Sequence, residues 1–525
     1  MQRPASVAAI AVAGCLILVS CSESLRVSSS TTVASSAATS TVATTVATTG
    51  TTTGTTTSPF EVDPIEWRAA GVGLETGRLS VPLDHEDPGG TTITIALVRR
   101  PASDPDRRIG SLLVNPGGPG YGGNVLAEQA GSIYGDALLD RFDIVGFDPR
   151  GTGDSTPSID CIDDLDAVFG VETGPDDAAE ESVLLAAAVE FAEGCAERST
   201  DLFDHVSTVD AARDMDLIRR ALGEDTISYF GWSYGTQVGG LWATLFPATV
   251  RAAVLDGAGN PTEGRIGTLI GQAAGFDSTL TTFLADCSAR PACAFHRDGD
   301  AEGAFLDLLS QLETDVVATA AGRPPLNQGV FELAVAQALY SEASWPALAD
   351  ALERAIDGDA TGLLSLYDAY YGRRADGTYG DELEAYFAIT CGDDPATGGP
   401  DDAVIARRRF LVASPRIGTT AAYEVLICAA LAQVQREAPA VTNATGGGRF
   451  EITGDGAGPI VVVGNTGDPA TPFAGSRLMA RTLEDGVFVA VEADSHTAYG
   501  LNRCIDDAIE AYLVDLTVPD EGTAC

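Results

Sequence analysis

Residues 226–246 read TISYFGWSYGTQVGGLWATLF and predict a strand, a tight turn and a helix in succession. Thr226–Phe230 is rich in β-forming residues, and Thr236–Phe246 has helical character. Between them lies a G-x-S-x-G pattern, which is typical of a turn that exposes a serine, here Ser233, at the end of a sheet. The pattern also arises by chance in a chain rich in Gly and Ser. Only the flanking strand and helix distinguish Ser233 from a serine in a surface turn.

Six further short apolar runs predict strands on either side of this segment. They are Thr92–Val98, Ser111–Val114, Phe142–Phe147, Ala252–Leu255, Ile460–Val463 and Val487–Val491. Helical stretches separate the runs, and this alternation is typical of a mostly parallel sheet with helices on both faces. The sequence therefore predicts an α/β fold.

The strand pattern fades between Pro261 and about Gly447, where helical segments such as Trp345–Ile356 dominate, with Ser344 as its N-cap. We interpret this region as a helical lid that interrupts the α/β domain. The predicted order is a signal peptide (1–20), a Ser/Thr-rich disordered linker (21–58), the first part of the core (59–260), the lid (261–447) and the C-terminal part of the core (448–525).

The first 58 residues predict export. Ala8–Val19 is apolar but too short to span a bilayer comfortably, as in a secretion signal. The ending Leu18-Val19-Ser20-Cys21 resembles a bacterial lipobox, in which Cys21 would be lipidated; the alternative is an ordinary signal cleaved near Ser20 or later. Residues 22–58 contain too little bulky apolar surface to fold. We expect a secreted cell-envelope lipoprotein that meets the membrane only through an anchor at Cys21.

The charged residues exclude several classes of function. The chain has 31 cationic and 75 acidic residues, a formal charge of −44, which argues against nucleic acid as a partner. All the cationic residues are Arg, so Schiff-base lysines, the pyridoxal lysine and the P-loop lysine are excluded. The four histidines are His85, His205, His296 and His496. No two lie at i, i+4, so an H-E-x-x-H zinc site is absent, and no metal or cofactor is implied.

The cysteines predict disulfides. After Cys15 in the signal peptide and Cys21, an even number remains, as expected for an exported protein. Closeness along the chain favours Cys161 with Cys195, Cys287 with Cys293, Cys391 with Cys428 and Cys504 with Cys525. A thiol–metal cluster is the competing interpretation, but the chain contains no C-x-x-C pair.

The segment Asn115-Pro116-Gly117-Gly118-Pro119-Gly120 follows a predicted strand and is suited to an oxyanion hole. Such a loop must present a backbone N–H to a developing negative oxygen, and side chains would obstruct it. Gly118 is the favoured first donor, and the N–H of Tyr234 would be the second.

The same loop also matches a dinucleotide-binding pattern. Its glycines fit G-x-G-x-x-G through Gly123, and Asp140 and Asp143 lie at a suitable distance downstream. Against this hypothesis, Pro119 removes an N–H from the loop, and Ser233 is left without a role.

An acid and a base follow the serine in the order Ser, Asp, His. Asp468 comes soon after one late predicted strand, and His496 comes soon after the next. His496 would take the Ser233 proton and return it to the leaving group, while Asp468 would orient the imidazole. Asp256, at the end of Ala252–Leu255, is an alternative acid.

Together these segments resemble α/β-hydrolase aminopeptidases of the proline iminopeptidase and tripeptidyl aminopeptidase group, which includes secreted bacterial and mycobacterial cell-envelope members. Further matching segments are Val81-Pro82-Leu83-Asp84, Asp148-Pro149-Arg150-Gly151-Thr152-Gly153, Ala221-Leu222-Gly223-Glu224, Gly467-Asp468-Pro469-Ala470-Thr471-Pro472 and the tail from His496 to Cys525. The resemblance implies that Ser233, Asp468 and His496 are the triad, that Gly118 and Tyr234 are the oxyanion donors, and that the lid restricts access to peptide ends.

The chain departs from the family pattern at two places. Ser495 and Thr497 flank the histidine, whereas a glycine commonly follows it in the family. After Cys428 the chain reads Ala429-Ala430-Leu431 where Trp-Pro is expected. The second departure concerns the substrate pocket and not the triad.

An aminopeptidase must hold a substrate ammonium group, and a buried carboxylate is the usual solution. The candidates are Glu382, Glu384, Asp393 and Glu424, and the sequence does not choose among them. Peptides would then be the substrates. The competing functions are a carboxylesterase with the same triad and a non-catalytic envelope binding protein that keeps the fold.

Overall fold

The computed structural model describes residues 60–199, 201–394, 400–437, 451–520 and 522–525. The predicted signal peptide, the Ser/Thr-rich linker and Cys21 lie outside these residues. No helix in the described ranges is long and apolar enough to cross a membrane.

The described strands are β1 (Arg68–Ala69), β2 (Glu75–Pro82), β3 (Thr92–Arg100), β4 (Gly110–Asn115), β5 (Phe142–Asp148), β6 (Ile227–Trp232), β7 (Val250–Asp256), β8 (Ile460–Asn465) and β9 (Gly486–Val491). They form one sheet in the order β1-β2-β3-β5-β4-β6-β7-β8-β9. The first four strands in this order, β1, β2, β3 and β5, pair antiparallel with one another. From β5 through β4 to β9, every neighbouring pair is parallel. All seven predicted strands are present, each within two residues of its predicted ends. The carboxyl ends of the parallel strands therefore meet at one edge.

The described α-helices outside the helical region are α1 (Asn124–Glu128), α2 (Ala130–Ile133), α3 (Asp136–Arg141), α4 (Leu165–Phe169), α5 (Ala178–Arg198), α6 (Thr208–Leu222) and α7 (Gly235–Leu245) before it, and α16 (Phe473–Thr482) and α17 (Arg503–Asp515) after it. They cover both faces of the sheet. Side chains alternate between the two faces of a strand, and in β4 both faces are buried. Leu113 packs into one apolar cluster, whereas Leu112 and Val114 pack into another with α1, α3 and α17.

The helical region between β7 and β8 contains α8 (Arg265–Ala289), α9 (Ala301–Leu312), α10 (Gln328–Leu339), α11 (Trp345–Ile356), α12 (Thr361–Tyr370), α13 (Glu382–Asp393), α14 (Pro400–Ala413) and α15 (Thr419–Glu437). The predicted helix α11 has its predicted bounds. Ser344 precedes it but does not cap it with its side chain, because it already has helical backbone angles at the end of a 3-10 turn. α5 packs against α15, and Phe169 stacks on Phe387 with ring centroids 5.5 Å apart. Residues that precede β6 therefore join this helical layer.

The eight cysteines of the described chain form the four disulfides expected from their closeness: Cys161–Cys195, Cys287–Cys293, Cys391–Cys428 and Cys504–Cys525. Cys391–Cys428 joins α13 to α15, and Cys504–Cys525 ties the tail to α17. The tail also pairs with the edge strand β9, since the N–H of Ala490 donates to Thr523 and the N–H of Cys525 donates to Ala490. Disulfides of this number are typical of proteins exported from the cytoplasm.

Two of the segments that resemble the family are joined by one buried side chain. Arg150, 1% exposed, donates to the carbonyl oxygens of Pro82 and Leu83 and pairs with the carboxylate of Asp214 on α6. A buried guanidinium needs this full set of acceptors to offset its lost hydration. Arg150 thus fixes the end of β2 against the core and lies away from the chemistry described below.

Candidate active site

Ser233 occupies a sharp turn between β6 and α7. Its φ is 54°, a left-handed conformation that is rare for residues other than glycine. A Cβ on Gly231 would lie 2.5 Å from the Gly235 carbonyl oxygen, and a Cβ on Gly235 would lie 2.8 Å from Asn115. Both glycines are therefore required by close backbone packing, which holds Ser233 half-buried on the wall of a cavity of about 390 Å³.

Asp468 and His496 meet at the same edge, in the loops that follow β8 and β9. His496 Nδ1 lies 2.9 Å from Asp468 Oδ1 and 3.0 Å from Oδ2. The carboxylate is fixed by the N–H groups of Ala470 (3.0 Å) and Thr471 (2.8 Å), and by the Thr471 hydroxyl (3.0 Å). An imidazole bound in this way through Nδ1 leaves Nε2 available for proton transfer.

Asp256, the alternative acid, has different partners. Its carboxylate accepts the N–H groups of Ala498 (2.9 Å) and Tyr499 (2.9 Å), and its carbonyl oxygen accepts the N–H of Ser233. Burial raises the pKa of Asp256 to about 6, although the two backbone hydrogen bonds oppose the shift. Asp256 therefore ties the turn that carries Ser233 (the serine turn) to the loop after β9 that carries His496 (the histidine loop). Asp468 is the carboxylate that binds His496 Nδ1.

The histidine loop explains one departure from the family pattern. Thr497 has a φ of 63°, so the glycine common at this position would adopt the conformation without strain. The Asn465 side chain donates to the carbonyl oxygens of both Ser495 (2.7 Å) and Thr497 (2.6 Å). These two hydrogen bonds hold the loop in shape on either side of His496.

The helical region also contacts His496. The N–H of His496 donates to the carbonyl oxygen of Tyr340 (2.8 Å), and the two rings lie edge to face with centroids 5.5 Å apart. Ser341 forms an isolated antiparallel bridge with Ser495. Tyr340 and Thr471, which both contact His496, line the same cavity as Ser233. The serine, the histidine and the helical region thus share one site.

The electrostatics favour a charged imidazole. Burial disfavours the cation, but the adjacent Asp468 carboxylate outweighs burial and, with Asp256, raises the pKa of His496 above its ordinary value. A charged imidazole next to a carboxylate is the state that forms when a serine loses its proton. The site therefore stabilises the product of that proton transfer.

The glycine loop after β4 packs directly on the serine turn. Gly117 has a φ of 97°, and a Cβ there would lie 2.6 Å from the Trp232 carbonyl oxygen and 2.8 Å from Ser233 Cβ. Gly118 is exposed on the cavity wall. Among the described residues, the N–H groups of Gly118 and Tyr234 donate to no other protein group. Both remain available to an oxyanion.

The dinucleotide hypothesis finds no support in this loop. A Cβ on Gly120 would lie 2.1 Å from the carbonyl oxygen of Glu382, so α13 occupies the space beside it. Asp143 accepts the N–H of Ala102 (2.9 Å) and pairs with Arg108 (3.0 Å), which commits its carboxylate to the core. The glycines serve close packing with the serine turn and with α13.

Of the four candidate carboxylates for a substrate amine, Asp393 lies on the cavity wall. Burial raises the pKa of Asp393 to about 6, although hydrogen bonds from Thr208 oppose the shift. Glu384 instead accepts the N–H of Cys161 (2.6 Å), and Glu424 pairs with Arg265. Glu382 is not among the described residues that line the cavity.

Several residues of the site were not singled out from the sequence. They are Thr208, Glu263, Tyr340, Asp394 and Thr471. Thr471 lies three residues after Asp468 within a matched family segment, so a search for a hydroxyl beside the acid could have found it. The others are brought to the cavity by tertiary packing of helices, and no local pattern marks them.

The strand order, the serine turn and the Asp–His pair define a serine hydrolase of the α/β type. Residues 110–307 match the family model described as alpha/beta hydrolase fold, and residues 414–525 match the model described as TAP-like protein. The chain belongs to this α/β-hydrolase family.

Three relatives match nearly the whole chain. Serine protease Hip1 of Mycobacterium tuberculosis is 32% identical over 86% of this chain and 87% of its own. Carboxylesterase B of Mycobacterium tuberculosis is 35% identical over 89% and 88%. Tripeptidyl aminopeptidase of Streptomyces lividans is 30% identical over 84% and 81%. The relatives thus include both a protease and an esterase by name.

Proposed function

We propose that this serine hydrolase is an aminopeptidase, which releases short peptides or single residues from N-termini through an acyl-enzyme on Ser233. The observation that carries the proposal is the Asp468–His496 pair beside a cavity whose wall holds Ser233 and the carboxylates of Asp394 and Glu263. The relatives named as a protease and as tripeptidyl aminopeptidases support the same activity.

In the proposed mechanism, His496 takes the proton of the Ser233 hydroxyl as the oxygen attacks the scissile carbonyl carbon. The N–H groups of Gly118 and Tyr234 bind the resulting oxyanion, and His496 then gives the proton to the leaving amine. Water, activated by His496, hydrolyses the acyl-enzyme and restores Ser233. Asp468 keeps the imidazole oriented throughout.

Peptide selectivity would come from the cavity wall. Asp394 and the exposed Glu263 line it, and these carboxylates favour a substrate ammonium group over a neutral ester. The 35% identical relative named carboxylesterase B is the observation that favours the second candidate, a carboxylesterase with the same triad.

The test is hydrolysis of free-N-terminus aminoacyl- and tripeptidyl-aminomethylcoumarins, their N-acetyl forms and p-nitrophenyl esters, with Ser233→Ala as the control. We expect cleavage of the free-amine peptides and loss of turnover in Ser233→Ala. Ester cleavage without peptide cleavage would assign the chain as an esterase. Absence of Ser233-dependent turnover, together with no labelling by a fluorophosphonate probe, would favour a binding protein.

We also propose that the exported chain is anchored through a lipid on Cys21, with residues 22–58 as the tether. The lipobox resemblance supports this, and the four disulfides agree with a location outside the cytoplasm. Cys21→Ala should abolish incorporation of a labelled fatty acid and move the protein from the membrane fraction to the medium. An unchanged distribution would contradict the anchor.

A further inference from the structure

Tyr234 has two separate connections at the site. Its backbone N–H is the proposed second oxyanion donor, whereas its phenol hydroxyl forms a hydrogen bond with the Thr208 hydroxyl (2.5 Å). Thr208 is the first residue of α6 and is 4% exposed. The side chain of the residue after the serine is therefore held by a different element from the one that carries its backbone.

Thr208 is held in turn by the helical region. The Asp393 carboxylate, at the end of α13, accepts the N–H of Thr208 (2.8 Å) through Oδ1 and the Thr208 hydroxyl through Oδ2. The disulfide of Cys391 to Cys428 fixes the last turn of α13, two residues before Asp393. A chain of three side chains thus runs from the helical region to the serine turn, and all three line the cavity with Ser233.

We propose that Asp393 and Thr208 are positioning residues for the oxyanion hole. They hold the phenol of Tyr234 in place and so orient the backbone N–H of the same residue. The helical region then governs the chemistry at the serine as well as access to it. This inference rests on the proposed function, and it applies to amide and ester substrates alike.

The hydrogen bonds of Asp393 favour this positioning role over a role in binding the substrate amine. Both Asp393 oxygens accept from Thr208, so the carboxylate is already committed in the structure. The glycine loop also packs closely on the serine turn, since a Cβ on Gly117 would lie 3.0 Å from the Tyr234 nitrogen. A donor that moves by a fraction of an ångström loses much of its value to the transition state.

The test uses Tyr234→Phe and Thr208→Val, with Thr208→Ser as the variant that keeps the hydroxyl. We expect Tyr234→Phe and Thr208→Val each to lower kcat about tenfold on a free-amine peptide and on a p-nitrophenyl ester, with KM unchanged, since one donor is displaced and not removed. The double variant should lose no more than either single variant, because both break one chain. Thr208→Ser should retain kcat.

Other results would overturn the proposal. They are an unchanged kcat in Tyr234→Phe, a rise in KM confined to free-amine peptides, or additive losses in the double variant. If Thr208→Ser loses as much kcat as Thr208→Val, the hydroxyl has no such role. If any of these results is found while turnover still depends on Ser233, the proposed function stands and only the positioning role is overturned. Turnover that persists in Ser233→Ala would overturn both the proposed function and the positioning role.

Discussion

Thr497 illustrates how much a single backbone conformation contributes to the site. A β-branched residue at a φ of 63° is rare, and the left-handed conformation costs about 1–2 kcal/mol in residues other than glycine. The conformation turns the chain so that the N–H of Thr497 donates to Asp468 Oδ2 (3.3 Å) directly after His496. The strain is therefore located where the acid and the base are joined.

Thr497→Gly should stabilise the protein. The variant relieves the strain but gains conformational freedom when unfolded, so we expect the free energy of unfolding to rise by about 1 kcal/mol at most. Urea denaturation with the disulfides intact measures this change. Leu516→Gly is the matched control, because Leu516 also has a positive φ (57°) but ends α17 away from His496. A loss of stability in Thr497→Gly alone would show that the threonine side chain is needed.

The raised pKa of His496 predicts the pH dependence of activity. The base must be neutral to accept the serine proton, so kcat/KM should rise with pH through a midpoint above the usual value of about 6.5. Asp468→Asn removes the charge that raises the pKa, so the midpoint should move to lower pH while the plateau falls by about 10⁴. An ester substrate without ionisable groups gives the profile. A midpoint that stays in place would contradict the role of Asp468.

At the scale of elements, the strands were predictable and the contacts of the helical region were not. Seven strands carry compact apolar runs, but β2 has only Leu79 and Val81 as bulky buried residues, so its pattern was too weak to recognise. The order of serine, acid and base followed from the segments after three predicted strands, which are β6, β8 and β9 in the structure. The contacts of Tyr340 and Asp393 with the site arise from helix packing, which no local sequence pattern encodes.

Tyr340 connects the helical region to the base. Tyr340→Leu removes the ring that packs on His496, so the imidazole gains freedom and kcat should fall about tenfold with little change in KM. Tyr340→Phe keeps the ring and should remain near the wild-type rate. Steady-state kinetics on one peptide and one ester measure both variants. Equal losses in the two variants would point to the phenol hydroxyl and not to the ring.

The disulfide between α13 and α15 should contribute strongly to stability. Its cysteines are 37 residues apart, so its removal in the paired variant Cys391→Ala and Cys428→Ala should lower the free energy of unfolding by about 4 kcal/mol in the chain-entropy model. Cys287–Cys293 spans 6 residues, and the matching variant should lose only about 2 kcal/mol. Urea denaturation gives both values. Equal losses would show that loop length does not set the contribution.

At the scale of the whole molecule, the net charge should influence how fast charged substrates reach the site. A formal charge of −44 produces a negative field around the chain, which should attract cationic peptides. We expect kcat/KM for an arginine-containing peptide to fall about tenfold between low and high NaCl, because salt screens this attraction. A neutral peptide of the same length is the control and should change little. Equal salt dependence for both peptides would exclude steering.

The pairing of the tail with β9 has a consequence for self-association. An edge strand with free N–H and C=O groups is a template for strands of other molecules, and a covering segment removes this hazard. Here Thr523 and Cys525 provide the cover, and the bond from Cys504 to Cys525 keeps them in place. Selective reduction of this bond would free the N–H and C=O groups of Ala490 on this edge, and the folded protein would then pair more readily with strands of other molecules.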